Sequence, residues 1–413
     1  MKIYDFIKDG LKNFSDNSGI YNTKLKNICI ELNELLNNVT NVNYQEHLKK
    51  NKCKIQENIN KIFEILNSNG FLYINLQFLF DRFYEYQEEQ EIKNEKEING
   101  KKIDKYRDHY FHSIQCFLLA ITIVNKLTIF DVLKQNKNII SKIFQTTIYH
   151  DIGYLYKLKN KFGPGYNRIN LIENNLGIRI CKDLLIELNS TDVIETIFNI
   201  SLYKKICDDK LSQIKKCICD EFHDPYNQNN LNEIEDKTKY DYPTKTKEHS
   251  YNSAIILSKF YSLKRSLNRI FNDNSIPIQR KENEKEEVFL GCWKSITLHA
   301  MKLVDKDDNR ISITEKPLES LLMIVDELQT YGRNPNTEDG KQLLHPKDVE
   351  FEFDSNNKLI LKNSVNSKEH TTEQIVKELE KRIKEKSLET IFDISCIKKT
   401  LIRKICKIIS RNI

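Results

Sequence analysis

The sequence predicts a mainly α-helical protein, and three observations predict it. Apolar residues recur at three- and four-residue spacing in segment after segment, the period of a helix with one buried face. Only 11 Gly and 7 Pro punctuate 413 residues, so few positions break a helix. Strand-like alternation is read at one place, Val349-Glu-Phe-Glu-Phe353 followed by Leu359-Ile-Leu361. A chain of this length can build a large core, in one or two domains.

The expected elements follow in chain order. Residues 1–104 read as a helical N-terminal extension, with amphipathic runs such as Leu25 to Leu36 and Ile59 to Leu66. Its last part, Glu85 to Lys105, is charge-rich and apolar-poor, a solvated loop or helix end. A core is expected over 105–335, interrupted by a polar insertion near 223–247 and a charged one at 279–287. Residues 336–413 read as an appendage. It opens with a hairpin turning through Asp354-Ser-Asn-Asn-Lys358, continues with a charged helix around 372–387, and closes with a basic amphipathic helix at 396–411. That last helix carries six basic and no acidic residues from Lys398 to Arg411, over an apolar face of Ile397, Leu401, Ile405 and Ile408. Packing of this face is expected ahead of contact with nucleic acid or an anionic membrane.

Composition narrows the function classes. Sixty-five basic against 59 acidic residues leave +6, too small to argue for or against a nucleic-acid partner. No segment approaches 18 consecutive apolar residues, and Met1-Lys-Ile-Tyr-Asp-Phe6 lacks a signal-peptide pattern. The ten cysteines include no zinc-type Cys-x-x-Cys, and several lie in apolar helical stretches. They read as reduced packing residues of a cytoplasmic protein.

The chemistry concentrates in five segments. His150-Asp151 sits inside Phe144-Gln-Thr-Thr-Ile-Tyr-His-Asp-Ile-Gly-Tyr-Leu155, a run otherwise built for burial. An unpaired buried carboxylate costs several kcal/mol, and a divalent cation would compensate imidazole and carboxylate together. His112 lies in an apolar helical stretch, with His109 three residues earlier on the same face. One of the two is expected to ligate and the other to bond substrate; His112 is favoured as the ligand. His249 opens Glu248-His-Ser-Tyr-Asn-Ser-Ala-Ile-Ile-Leu257, and His299 sits in Ser295-Ile-Thr-Leu-His-Ala-Met-Lys-Leu303. Asp326 follows Leu322 by four positions and Met323 by three, so its carboxylate needs a partner. His223-Asp224, by contrast, precedes Pro225 and an Asn-rich stretch and reads as solvated loop.

The order His…His-Asp…His…His…Asp resembles the HD-domain superfamily of metal-dependent phosphohydrolases, over residues 105–335. Within it the chain is most similar to members with two extra histidines, such as cyclic-nucleotide phosphodiesterases and HD-GYP proteins. His112-Ser113 followed by Cys116-Phe117 matches the first motif, His150-Asp-Ile-Gly-Tyr154 the central one, and His249 with Ile256-Leu257 a later one. Pro317 to Gln329 looks like the helix of the final Asp. Tyr154 stands where Lys is common and no Gly-Tyr-Pro follows His299, so cyclic dinucleotide specificity is not implied.

The resemblance implies an HD helical bundle and a metal set of His112, His150, Asp151, His249, His299 and Asp326. Such ligands suit two divalent cations from Mn, Fe, Co, Ni, Zn or Mg, which ready water for in-line attack on phosphorus. Asp151, His249, His109 and Lys157 are the expected catalytic groups, a His or the Lys protonating the leaving oxygen. Lys157, Lys161 and Arg168 flank Phe162-Gly-Pro-Gly-Tyr166, and Arg333 follows the Asp326 helix; phosphate contact and ordinary surface charge both fit them. The expected function is hydrolysis of a phosphate ester in a nucleotide or related small phospho-substrate. A non-catalytic nucleotide-sensing or interaction module that keeps the metal site is the alternative. A nucleic-acid substrate is not favoured, because no basic patch with interleaved aromatics lies near the motif.

Overall fold

The structure is a computed structural model that describes residues 1–15, 19–37, 44–81, 84, 109–153, 197–198, 212–214, 216–217, 249–271, 280–299, 314–328, 349–353, 359–364, 392–393 and 404–409. It is mainly helical. Helix α1 is Ile3–Asn13, α2 Thr23–Asn37, α3 Tyr44–Ser68 and α4 His109–Lys126. After a 3-10 turn at Thr128–Phe130 come short α5 (Asp131–Lys134) and α6 (Ile139–Tyr149). Helices α7 (His249–Phe271), α8 (Arg280–His299) and α9 (Pro317–Leu328) complete the helical part.

The helical period explains which faces are inside. In α1, Ile3, Phe6, Ile7, Gly10 and Leu11 are buried, and in α2, Leu25, Ile28, Cys29, Leu32 and Leu36 are. Asn22 Oδ1 accepts from Leu25 N–H at 3.1 Å and caps the start of α2. The end of α3 turns on Gly70, whose φ of +69° is closed by Gly70 N–H to Asn67 O and Phe71 N–H to Leu66 O, both 2.9 Å. Pro317 opens α9, where a missing N–H costs nothing.

Helix α4 differs, because it is buried on every face from His109 to Val124. An all-round apolar helix belongs at the centre of a core. Helices α4, α6, α8 and α9 pack in a closed ring, each touching the next and α9 returning to α4. Helix α1 lies across α4 at a close approach: a Cβ on Gly10 would stand 2.8 Å from Thr122 Cβ and Oγ1. Thr122 Oγ1 is 3.3 Å from Ile7 O, and Asn125 Nδ2 donates to Gly10 O at 3.1 Å. A single apolar cluster runs from Ile3 through α4 and α6 to Leu328, so the N-terminal helices and the ring share one core. Among the described residues no single helix is long and apolar enough to cross a membrane.

Helix α7 brings one charge into that core. Lys264 Nζ donates to Tyr73 O at 2.6 Å, pairs with Glu282 Oε2 at 3.2 Å and stands 3.8 Å from the Tyr73 ring centroid. Burial pulls its pKa down to about 8, with Glu282 opposing.

Four strands, Val349–Phe353 (β1), Leu359–Ser364 (β2), Phe392–Asp393 (β3) and Lys404–Ile409 (β4), form a sheet of order β1-β2-β4-β3. All three pairings are antiparallel, with Val349 opposite Asn363 and Ile360 opposite Ile408. The basic helix expected at 396–411 is corrected here, because residues 404–409 are a strand. Three of these six residues are Ile, whose branched Cβ suits a pleated sheet, and β2 supplies a full partner edge. The charged helix expected around 372–387 lies outside the described residues.

Candidate metal centre

Four helices deliver the candidate ligands to one place. His109 and His112 stand on the first turn of α4, His150 is the residue that ends α6, His299 is the last residue of α8, and Asp326 is on the last turn of α9. Asp151 follows α6 in a turn over residues 150–153. Ser253 of α7 clasps this turn: its hydroxyl donates to His150 O and accepts from Gly153 N–H, both at 2.7 Å. His249 lies one helical turn before Ser253, at the first residue of α7, and its side chain is outside the described residues. So are Tyr154, Lys157, Lys161, Arg168, Arg333 and the His223-Asp224 pair.

The rings and carboxylates interlock. His112 Nε2 is 3.0 Å from Asp326 Oδ1 and 3.8 Å from Asp151 Oδ2. His109 Nδ1 is 2.8 Å from Asp151 Oδ2, and since the carboxylate accepts, that nitrogen carries the proton. Ring centroids of His112 and His150 are 5.3 Å apart, and those of His150 and His299 are 5.1 Å apart. One donor atom each from His150, Asp151 and His299 falls within 4.8 Å of the others, and the same holds for His112, Cys116 and His150. All of these side chains are buried except that of Asp326, which keeps 16% exposure.

Two backbone carbonyls fix the tautomers. His150 Nδ1 donates to Thr147 O and His299 Nδ1 to Ile296 O, each at 2.6 Å. The neutral ring of each then presents Nε2 as a lone pair. His150 Nε2 is fully buried and makes no hydrogen bond; Asp151 Oδ1 at 3.5 Å and Asp326 Oδ1 at 3.8 Å are too far for one.

Charge follows the same geometry. Burial lowers the His150 pKa, but Asp151 and Asp326 outweigh it, and the ring lies above its ordinary value. His299 is pushed down to about 4, by burial first and then by His150. It is a neutral imidazole across the physiological range, the form that ligates. Acceptor atoms of His299, Asp151 and Asp326 thus face a His150 ring whose raised pKa is owed to the two carboxylates. These buried His and Asp groups could hold a metal ion, and that would satisfy the orphaned Nε2 of His150.

Some contributors were missed in the sequence. Cys116 was grouped with the packing cysteines, although its position four residues after His112 puts it on the same helical face. The carbonyls of Thr147 and Ile296 act only because two helices end where they do, which no side-chain pattern announces. Comparisons with family models, curated proteins and solved structures returned no match to this chain.

Proposed function

We propose that this protein is a metal-dependent phosphohydrolase of the HD type, cleaving a phosphate ester of a nucleotide or similar small phospho-substrate. The observation that carries the reading is His150 Nε2, an imidazole nitrogen buried without a hydrogen bond and faced by the carboxylates of Asp151 and Asp326. His112, His150, Asp151, His299 and Asp326 would hold the cations, with His249 joining from the start of α7; two cations from Mn, Fe, Co, Ni, Zn or Mg suit these donors. A divalent cation there supplies Lewis acidity toward phosphoryl oxygen and lowers the pKa of water. The protein's own part is orientation and proton handling. The Thr147 and Ile296 carbonyls aim two rings, Ser253 fixes the turn that carries Asp151, and His109 holds Asp151 Oδ2. With Nδ1–H given to Asp151, His109 would use its other nitrogen to pass a proton to the leaving oxygen, a role shared in this reading with His249 and Lys157. Lys161, Arg168 and Arg333 are proposed as phosphate contacts on sequence alone.

The test is metal analysis of the purified chain, then a Mn-supplemented screen of phosphomonoesters, cyclic nucleotides and nucleoside triphosphates. The wild type is expected to retain metal and to turn over at least one class. His150→Ala and Asp151→Ala are each expected to lose both, metal falling to background. Unchanged turnover in either variant sinks the reading, and bound metal without turnover assigns the site to sensing.

A further inference from the structure

The thiol of Cys116 lies against this cluster, and nothing in the proposed reaction uses it. We propose that Cys116 is a metal ligand, which with His112 and His150 forms a sulfur-containing position for a thiophilic cation such as Zn or Fe(II). The proposal rests on the metal-centre reading above and specifies which cation that centre takes.

Cys116 follows His112 by one helical turn on α4, and its side chain is fully buried outside any disulfide. Its Sγ is 3.6 Å from His112 Nε2 and 3.8 Å from His112 Nδ1, and 3.8 Å from Val325 O. A tetrahedral zinc with bonds of about 2.0 Å to nitrogen and 2.3 Å to sulfur holds those two atoms roughly 3.5 Å apart. The Sγ–Nε2 separation is close to that spacing, and because Sγ is almost as near to Nδ1, sharing an ion requires the His112 ring to turn its Nε2 lone pair toward the sulfur. A second, independent observation comes from the other side of the position. His150 Nε2 is buried, makes no hydrogen bond, and lies with the sulfur and His112 in one donor group no wider than 4.8 Å.

One ring nitrogen binds one cation, and His150 Nδ1 is committed to Thr147 O. His150 Nε2 belongs to both donor groups, so an ion on it shares His112 and Cys116 on one side and borders Asp151 and His299 on the other, with Asp326 Oδ1 3.0 Å from His112 Nε2. Binding forms a metal–sulfur bond and releases the thiol proton to solvent. A soft thiolate biases the position toward Zn or Fe(II) and away from Mg or Mn, which prefer oxygen donors.

The test is titration of the metal-free full-length chain with Co(II), followed by absorption. The wild type is expected to show visible d–d bands together with a near-ultraviolet thiolate-to-cobalt charge-transfer band. Cys116→Ser and Cys116→Ala are expected to keep visible absorption, lose the near-ultraviolet band, and bind zinc at least about tenfold more weakly. Cadmium-113 resonance of the unmodified protein reads the same bond without a substitution, through a shift in the sulfur-ligand range. Visible bands without charge transfer in the wild type overturn the proposal and leave the metal centre standing. A charge-transfer band that persists in both variants overturns it equally. No bound cobalt at all overturns both this proposal and the metal-centre reading beneath it.

Discussion

Lys264 keeps its charge over the Tyr73 ring through the Tyr73 carbonyl and Glu282, with Glu286 adding to them. Its pKa near 8 in the fold lies below the ordinary 10.5, so between those values the unfolded chain binds more protons than the native one. Stability therefore rises with pH over that window, by up to about 1.4 kcal/mol per pH unit from this group. Lys264→Met should abolish that increment, and urea midpoints of both proteins from pH 7.5 to 10.5 would check it. Equal slopes would mean that Lys264 is not desolvated. The same logic of burial made part of the candidate metal centre legible beforehand. A carboxylate at 326 within an apolar helical pattern must be compensated, as must the doublet at 150–151. Cys116 escaped because thiols are common packing residues, so its type carried no signal without the position of His150 beside it.

Two helices meet at Gly10 and Thr122 with no room for a methyl group between them. Gly10→Ala would improve helix propensity by roughly 1 kcal/mol, but overpacking of this kind costs about 1–3 kcal/mol. Net destabilisation is expected, and Thr122→Ala in the same chain should recover part of it, because the two sites are in direct contact. Chemical denaturation of the single and double variants measures the coupling; additive effects would remove the close-approach account. Helix periodicity was readable in α1 and α2 because each buries one stripe. It misled at 404–409. Ile405 and Ile408 stand three apart, as on one face of a helix, but the backbone of 404–409 is paired with β2 along its length. So short a segment has too few apolar positions to separate the two periods, and pairing with a distant strand decides between them.

Among the described residues the helices share one core, and the N-terminal helices belong to it. Ile3, Phe6, Ile7, Leu11 and Phe14 are all buried there. At about 1.5–3 kcal/mol each, their burial is comparable with the 5–15 kcal/mol that separates most native proteins from their unfolded chains. Deleting residues 1–15 should therefore abolish the cooperative thermal transition and expose dye-binding apolar surface, and the bound metal should be lost with it. A truncated chain that melts cooperatively and retains metal would show the first helix to be dispensable. At this scale the sequence revealed the helical character and the segments whose buried His and Asp groups come together. It could not reveal that α4 is covered on one flank by α1, since that depends on a glycine meeting a threonine 112 residues away. The carbonyls that orient His150 and His299 carry one more consequence. Both belong to the final turns of helices, where the aligned peptide groups amount to about half a negative charge at each terminus. The ends of α6 and α8 thus favour positive ions at this spot, opposed in part by the N-termini of α4 and α7. A variant stripped of one imidazole would lose a coordinating atom while the underlying field, written into the main chain, stays in place.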